Sequence, residues 1–180
     1  MAGSRKPQLW ECESHSVADT EALGQRIGQL LHGGEILALQ GELGAGKTAL
    51  IRGIATGLDI PPRTVSSPTF VLVHRYRGRL VLVHADLYRL EAHTEFPQLG
   101  IDEDFDGRTV VAIEWAEKAE RDLPSDRMEV HLSHISRSRR RIRFQPTGPR
   151  SRRLLNRLMA TQAGPPRRGH RSPSRHVGRL

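Results

Sequence analysis

Residues 41–48 read Gly41-Glu42-Leu43-Gly44-Ala45-Gly46-Lys47-Thr48, a full phosphate-binding loop of the form G-x-x-x-x-G-K-[ST]. No other stretch limits the fold as much, because such a loop works only between a buried strand and the start of a helix. Its glycines let the backbone curl until its N–H groups converge on a polyphosphate, and the next helix adds the positive end of its dipole. Lys47 is placed to reach the β- and γ-phosphates, and the Thr48 hydroxyl to ligate Mg²⁺. The flanks agree: 36–40 is a short apolar run suited to a buried strand, and 48–57 continues as a helix. A nucleotide-binding chain is expected.

The formal charge of +8 is unevenly divided. Residues 137–180 carry 14 arginines and no acid, whereas 1–136 carry 14 Lys and Arg against 20 Asp and Glu, a net of −6. The globular part is thus expected to be acidic, and any affinity for nucleic acid to belong to the basic end. The single cysteine, Cys12, excludes an internal disulfide and a cysteine-rich zinc site. No apolar run approaches the roughly 20 residues of a membrane span, and the first residues lack the apolar stretch of a secretory signal. A soluble, cytoplasmic protein is the expectation.

Hydrophobic periodicity predicts a strand at 8–13 and a helix from a Ser16–Asp19 capping box to about Leu31, with Val17, Leu23, Ile27, Leu30 and Leu31 on one face. Gly33-Gly34 ends that helix. After the phosphate loop, 70–76 and 80–85 read as a hairpin around Arg77-Gly78-Arg79. Residues 90–105 contain helix formers interrupted by Pro97, which starts or breaks a helix. A buried strand at 110–113 leads into Glu114-Trp115. Residues 128–135 and 139–144 form a second antiparallel pair, and 151–160 a last helix. The reading is one domain over 8–160 and an Arg/Pro-rich, disordered tail over 161–180. The predicted fold is an α/β sandwich: a mixed sheet with a parallel centre and antiparallel hairpins, helices on both sides, and the nucleotide beyond the strand C-termini.

A bound triphosphate needs a magnesium partner and a group to position water. Glu114 stands at the C-terminal edge of a buried strand, where a carboxylate can meet Mg²⁺ directly or through water. His84 and Asp86, two apart on a strand, share a face; no further His or Cys cluster supports zinc. Asp86 therefore suits a place near the γ-phosphate. The residues alone leave open whether His84 is structural or catalytic, whether Trp115 meets the nucleotide or caps the core, and whether Arg89 meets a phosphate. Ser66-Ser67-Pro68-Thr69-Phe70 offers loop hydroxyls of the kind that close over Mg²⁺ in phosphate-loop switches. Adenine is favoured by elimination, since the only asparagine, Asn156, is followed by arginine and no Asn-Lys-x-Asp guanine loop exists.

Taken together, the phosphate loop, Ser67-Pro68-Thr69-Phe70, His84-Ala85-Asp86-Leu87-Tyr88-Arg89-Leu90, Leu99-Gly100-Ile101-Asp102-Glu103 and Glu114-Trp115 resemble the TsaE (YjeE) family, the bacterial ATPases of tRNA threonylcarbamoyladenosine biosynthesis. The resemblance runs from about residue 10 to 160 and leaves the basic tail outside. It implies ATP against Glu42, Leu43, Gly44, Ala45, Gly46, Lys47 and Thr48, with Thr69 and Trp115 beside it. It implies Mg²⁺ on Thr48 and Glu114, with Lys47, Asp86 and Glu114 serving catalysis. The partners it implies are the TsaD–TsaB proteins, with tRNA met indirectly and direct contact open to the tail. The alternative is a phosphate-loop kinase acting on a small molecule, and a third reading is an RNA-binding module led by the tail.

Overall fold

The computed structural model describes residues 8–68, 72–91 and 93–162. Along the chain run β1 (Trp10–Ser14), α1 (Val17–Leu30), β2 (Ile36–Gln40), α2 (Lys47–Gly57), β3 (Val73–Arg77), β4 (Val81–Asp86), β5 (Val110–Glu114), β6 (Met128–His134), β7 (Arg140–Pro146) and α3 (Pro149–Gln162). The strands make one sheet in the order β1-β7-β6-β2-β5-β4-β3. Its middle is parallel, with β2 between β5 and β6 and β4 beyond β5. Its flanks are antiparallel: β1 on β7, β7 on β6, and β3 on β4. This is the mixed sheet expected from the sequence.

Alternation along the central strands divides the interior into two cores. Leu37 and Leu39 of β2 join Leu82, Val110, Ala112 and the apolar stripes of α1, α2 and α3. Ile36 and Ala38 face the other way and join Val83, Ala85, Val111 and Ile113. A strand buried on both faces reads as a continuous apolar run, which is why 36–40 was legible. Helical cover lies on both sides, but the second side is closed by 3-10 segments, His93–Leu99, Asp102–Asp104 and Ala116–Ala119, rather than by α-helices. Pro97 sits inside the first of these. Its ring and missing N–H oppose an α-helix, and a 3-10 segment replaces one while still burying Phe96.

The cap forms at the predicted Ser16, whose Oγ accepts from Asp19 N at 3.0 Å, but the return bond differs from a capping box: Asp19 Oδ2 accepts from His15 N at 3.0 Å, one residue before the cap. α3 starts at Pro149, two residues before the expected position, because Asp126 accepts from the amides of Arg150 (2.7 Å) and Ser151 (3.0 Å). It continues to Gln162. The tail beyond it, and Thr69 and Phe70 of the hydroxyl-bearing loop, lie outside the described residues. Among the described residues, no helix is long and apolar enough to cross a membrane.

Periodicity did not reveal how closely α1 and α2 approach. Gly24 and Gly28 of α1 meet Gly53 and Gly57 of α2. A Cβ on Gly53 would stand 2.1 Å from Glu21 O, and one on Gly24 2.2 Å from Leu50 O. The paired positions advance together along both helices, so the two run parallel. Their C-terminal carbonyls are gathered by Arg79, whose guanidinium donates to Gly28 O, Leu31 O and Gly57 O. The β3–β4 turn thus clamps the two negative dipole ends. Gly53→Ala is expected to lower unfolding free energy by about 1–3 kcal/mol despite alanine's better helix propensity, because the contact is with backbone that cannot rotate away. Chemical denaturation of both proteins checks it, and an unchanged midpoint counts against the close approach.

Candidate functional site

The phosphate loop leaves β2 at Gly41, whose φ of 140° is followed by 76° at Gly44 and 104° at Gly46. The left-handed turns bring the start of α2 over the C-terminal edge of the sheet. Lys47 is folded back into its own loop, donating to Gly41 O at 2.6 Å and Glu42 O at 3.0 Å. It is only 4% exposed. Burial pushes the Lys47 ammonium below the ordinary lysine range, while the carboxylates of Glu114, Glu117 and Asp86 pull it back up.

The parallel pairing of β4 with β5 sets Asp86 beside Glu114 and His84 beside Ala112. Asp86 and Glu114 are buried at the strand ends, and His84 is fully covered. Glu114 Oε1 accepts from Thr48 Oγ1 at 2.8 Å and lies 2.9 Å from His84 Nε2. Asp86 accepts from Ser67 Oγ at 2.6 Å and from Tyr88 N at 3.0 Å. The loop hydroxyl that the sequence suggested thus reaches an acid of the site through Ser67. Arg89 is exposed on the following turn.

Trp115 takes left-handed backbone angles, φ 58° and ψ 39°. For a bulky residue this costs on the order of 1–3 kcal/mol. The strained turn carries the indole over the Lys47 ammonium, 3.9 Å from Nζ to ring centroid, and against Tyr88 at 5.1 Å. These groups border a cleft of about 370 Å³ lined by Gly44, Lys47, Thr48, Asp86, Glu114 and Trp115. Hard oxygen donors with room for phosphate suit Mg²⁺, which takes few protein ligands and completes its shell with water and phosphate. Among the described residues there is no cluster of three or more His, Cys, Asp or Glu that could hold a metal ion.

A family model described as "Threonylcarbamoyl adenosine biosynthesis protein TsaE" matches residues 14–142. The chain belongs to the TsaE family. The tRNA threonylcarbamoyladenosine biosynthesis protein TsaE of Treponema pallidum is 40% identical over 131 residues, covering 73% of this chain and 96% of that protein. Its Bacillus subtilis counterpart is 38% identical over 141 residues, covering 78% of this chain and 87% of that one. The crystal structure of Bacillus subtilis YdiB superposes with a TM-score of 0.75 at 30% identity, covering 88% of this chain and 99% of that structure.

Around the TsaE loop the fold adds residues that sequence reasoning missed. A second cavity of about 430 Å³ shares Gly44, Gly46 and Ala49 with the first and is closed by Ser16, Thr20, Arg137 and Arg140. Arg140 Nη2 reaches Gly44 O at 3.3 Å, tying the β6–β7 turn to the phosphate loop. The one signal for it was the basic turn at 137–140, which nothing local connects to residue 44. With Trp10 replaced by Phe, Trp115 is the sole indole; ADP is expected to change its emission as phosphate draws Lys47 off the ring. Lys47→Met is expected to abolish the change, and emission indifferent to ADP in the Lys47 protein counts against the ammonium–indole contact.

Proposed function

We propose that this TsaE-family protein binds and hydrolyses ATP with Mg²⁺ as a subunit of the machinery that makes threonylcarbamoyladenosine in tRNA. The observation that carries the reading is the convergence of Lys47, Thr48, Asp86 and Glu114 on one cleft behind a complete phosphate loop. The phosphates lie along the loop amides, with Lys47 exchanging its two carbonyl partners for β- and γ-oxygens. The nucleoside extends into the neighbouring cavity beside Thr20, Arg137 and Arg140, with adenine as the base.

Thr48 and Glu114 hold Mg²⁺, which when bound neutralises phosphate charge. Thr48 keeps its hydroxyl proton directed at Glu114, so its lone pairs remain for the metal. Asp86 orients water near the γ-phosphate, and Ser67 donates to it; Thr69 is assigned beside the nucleotide. Trp115 and Tyr88 wall the phosphate side against solvent. Arg140, beside the loop, is engaged with backbone carbonyls, and charge neutralisation is completed by a partner in trans. That partner is the TsaD–TsaB pair, and the compartment is the cytoplasm.

Phosphate release by the full chain, with and without TsaD–TsaB, tests the reading. Slow release alone and faster release with the pair is the expected result; fast turnover unaffected by the pair, or release only when a small acceptor is added, overturns it. Lys47→Ala is expected to reduce turnover on the order of 10²–10³-fold, and activity within a factor of two removes Lys47 from the mechanism. Glu114→Gln is expected to raise the Mg²⁺ requirement more than it weakens ATP binding.

The basic end adds tRNA contact, since Arg167, Arg168, Arg171, Arg175 and Arg179 follow α3 with no acid among them. Truncation after Gln162 is expected to leave nucleotide binding unchanged and to weaken tRNA binding with a shallower salt dependence. Equal affinity and equal salt slope would remove the contact.

A further inference from the structure

We propose that His84 is a positioning residue that fixes the orientation of the Glu114 carboxylate, so that one oxygen is held from behind and the other is presented to the magnesium site. The inference rests on the reading of Glu114 as the magnesium acid. His84 is 0% exposed and does not border the nucleotide cleft, so it touches neither solvent nor ligand. Its Nε2 lies 2.9 Å from Glu114 Oε1, and the same oxygen accepts from Thr48 Oγ1 at 2.8 Å. Its Nδ1 is buried with no hydrogen-bond partner among the described residues.

That orphaned nitrogen decides the tautomer. A proton on Nδ1 would leave a buried donor bare and turn the Nε2 lone pair against a carboxylate, two separate costs. With the proton on Nε2, the ring donates to Glu114 and only an acceptor goes unused. Two donors then converge on Oε1. Tilting the carboxylate plane away from these donors would break both bonds, so one oxygen (Oε1) is held and the other (Oε2), which has no hydrogen bond among the described residues, is left for a metal or its water.

Packing alone does not account for an imidazole here. Deep in the α-helical side of the sheet, an apolar side chain of similar volume would fill the space without orphaning a nitrogen. The useful part of His84 is its N–H. Its effect is selective, because the neighbouring Asp86 is held separately by Ser67 and Tyr88. Groups that orient a metal-binding carboxylate from behind are commonly worth 10–100-fold in metal affinity.

The test compares full-length His84→Met, which keeps bulk and loses the donor, with His84→Gln, whose amide restores an N–H at the reach of Nε2, and with Glu114→Gln. Mn²⁺ binding to each protein–ADP complex is followed by electron paramagnetic resonance, and ADP binding is measured separately without metal. His84→Met is expected to weaken Mn²⁺ binding by about 10–100-fold while metal-free ADP affinity stays within twofold, and His84→Gln to recover most of the loss. If Glu114→Gln weakens Mn²⁺ and His84→Met does not, or if Met and Gln at 84 lose equally, the positioning role is overturned. If Glu114→Gln itself leaves Mn²⁺ affinity unchanged, the magnesium reading of Glu114 falls and this inference falls with it. Should His84→Met not fold, His84→Asn, whose shorter amide stops short of Glu114, takes its place with the same expected loss.

Discussion

The contact between α1 and α2, backbone against backbone through Gly24, Gly28, Gly53 and Gly57, is the constraint from which the site's geometry follows. Because the helices run parallel, both N-termini arrive at the same edge of the sheet. One carries Ser16 and Thr20, the other emerges from the phosphate loop at Lys47. Two positive dipole ends therefore flank the cavities that share Gly44 and Gly46. At the far end the negative termini meet Arg79. Wider helix spacing would part Thr20 from the loop and open the cavity that Ser16 and Thr20 share with Gly44 and Gly46.

Burying Lys47, His84, Asp86 and Glu114 together opposes folding, since each polar or charged side chain loses water. The loss is offset by a hydrogen-bond partner for each: loop carbonyls for Lys47, Thr48 and His84 for Glu114, Ser67 and the Tyr88 amide for Asp86. The strain of Trp115 belongs to the same account, because its left-handed turn sets an aromatic face against the lysine. The result is a polar cluster assembled before any ligand arrives. Electrostatic preorganisation of that kind is what phosphoryl chemistry uses, since little reorganisation is left for the reacting step.

Much of this was legible in advance. The phosphate loop announced itself because its glycines answer to local φ angles, and the apolar runs at 36–39 and 110–113 because strands buried on both faces are apolar along their length. His84 and Asp86 fell on one face from the two-residue period of a strand. The cover of the second core was not legible: Pro97 excluded a plain α-helix without saying what would replace it. Nor were the glycine pairs, which look like ordinary weak spots in two helices until the helices are brought together. Arg137 and Arg140 read as part of a basic run, and their place beside Gly44 depends on how the β6–β7 turn is carried over the sheet.

The chemistry of the phosphate side was set by contiguous residues, because a loop whose backbone N–H groups must converge can be written only in one short stretch. Pairings between distant residues were settled by the packed fold. Thr48 and Glu114 are 66 positions apart and His84 and Glu114 are 30 apart, and no local preference relates them. Strand order and register bring them to one oxygen atom, since β5 lies between β2 and β4 and the parallel pairing aligns Asp86 with Glu114. Which side chains the site would contain was written locally; which atoms would face one another required the sheet to close around them.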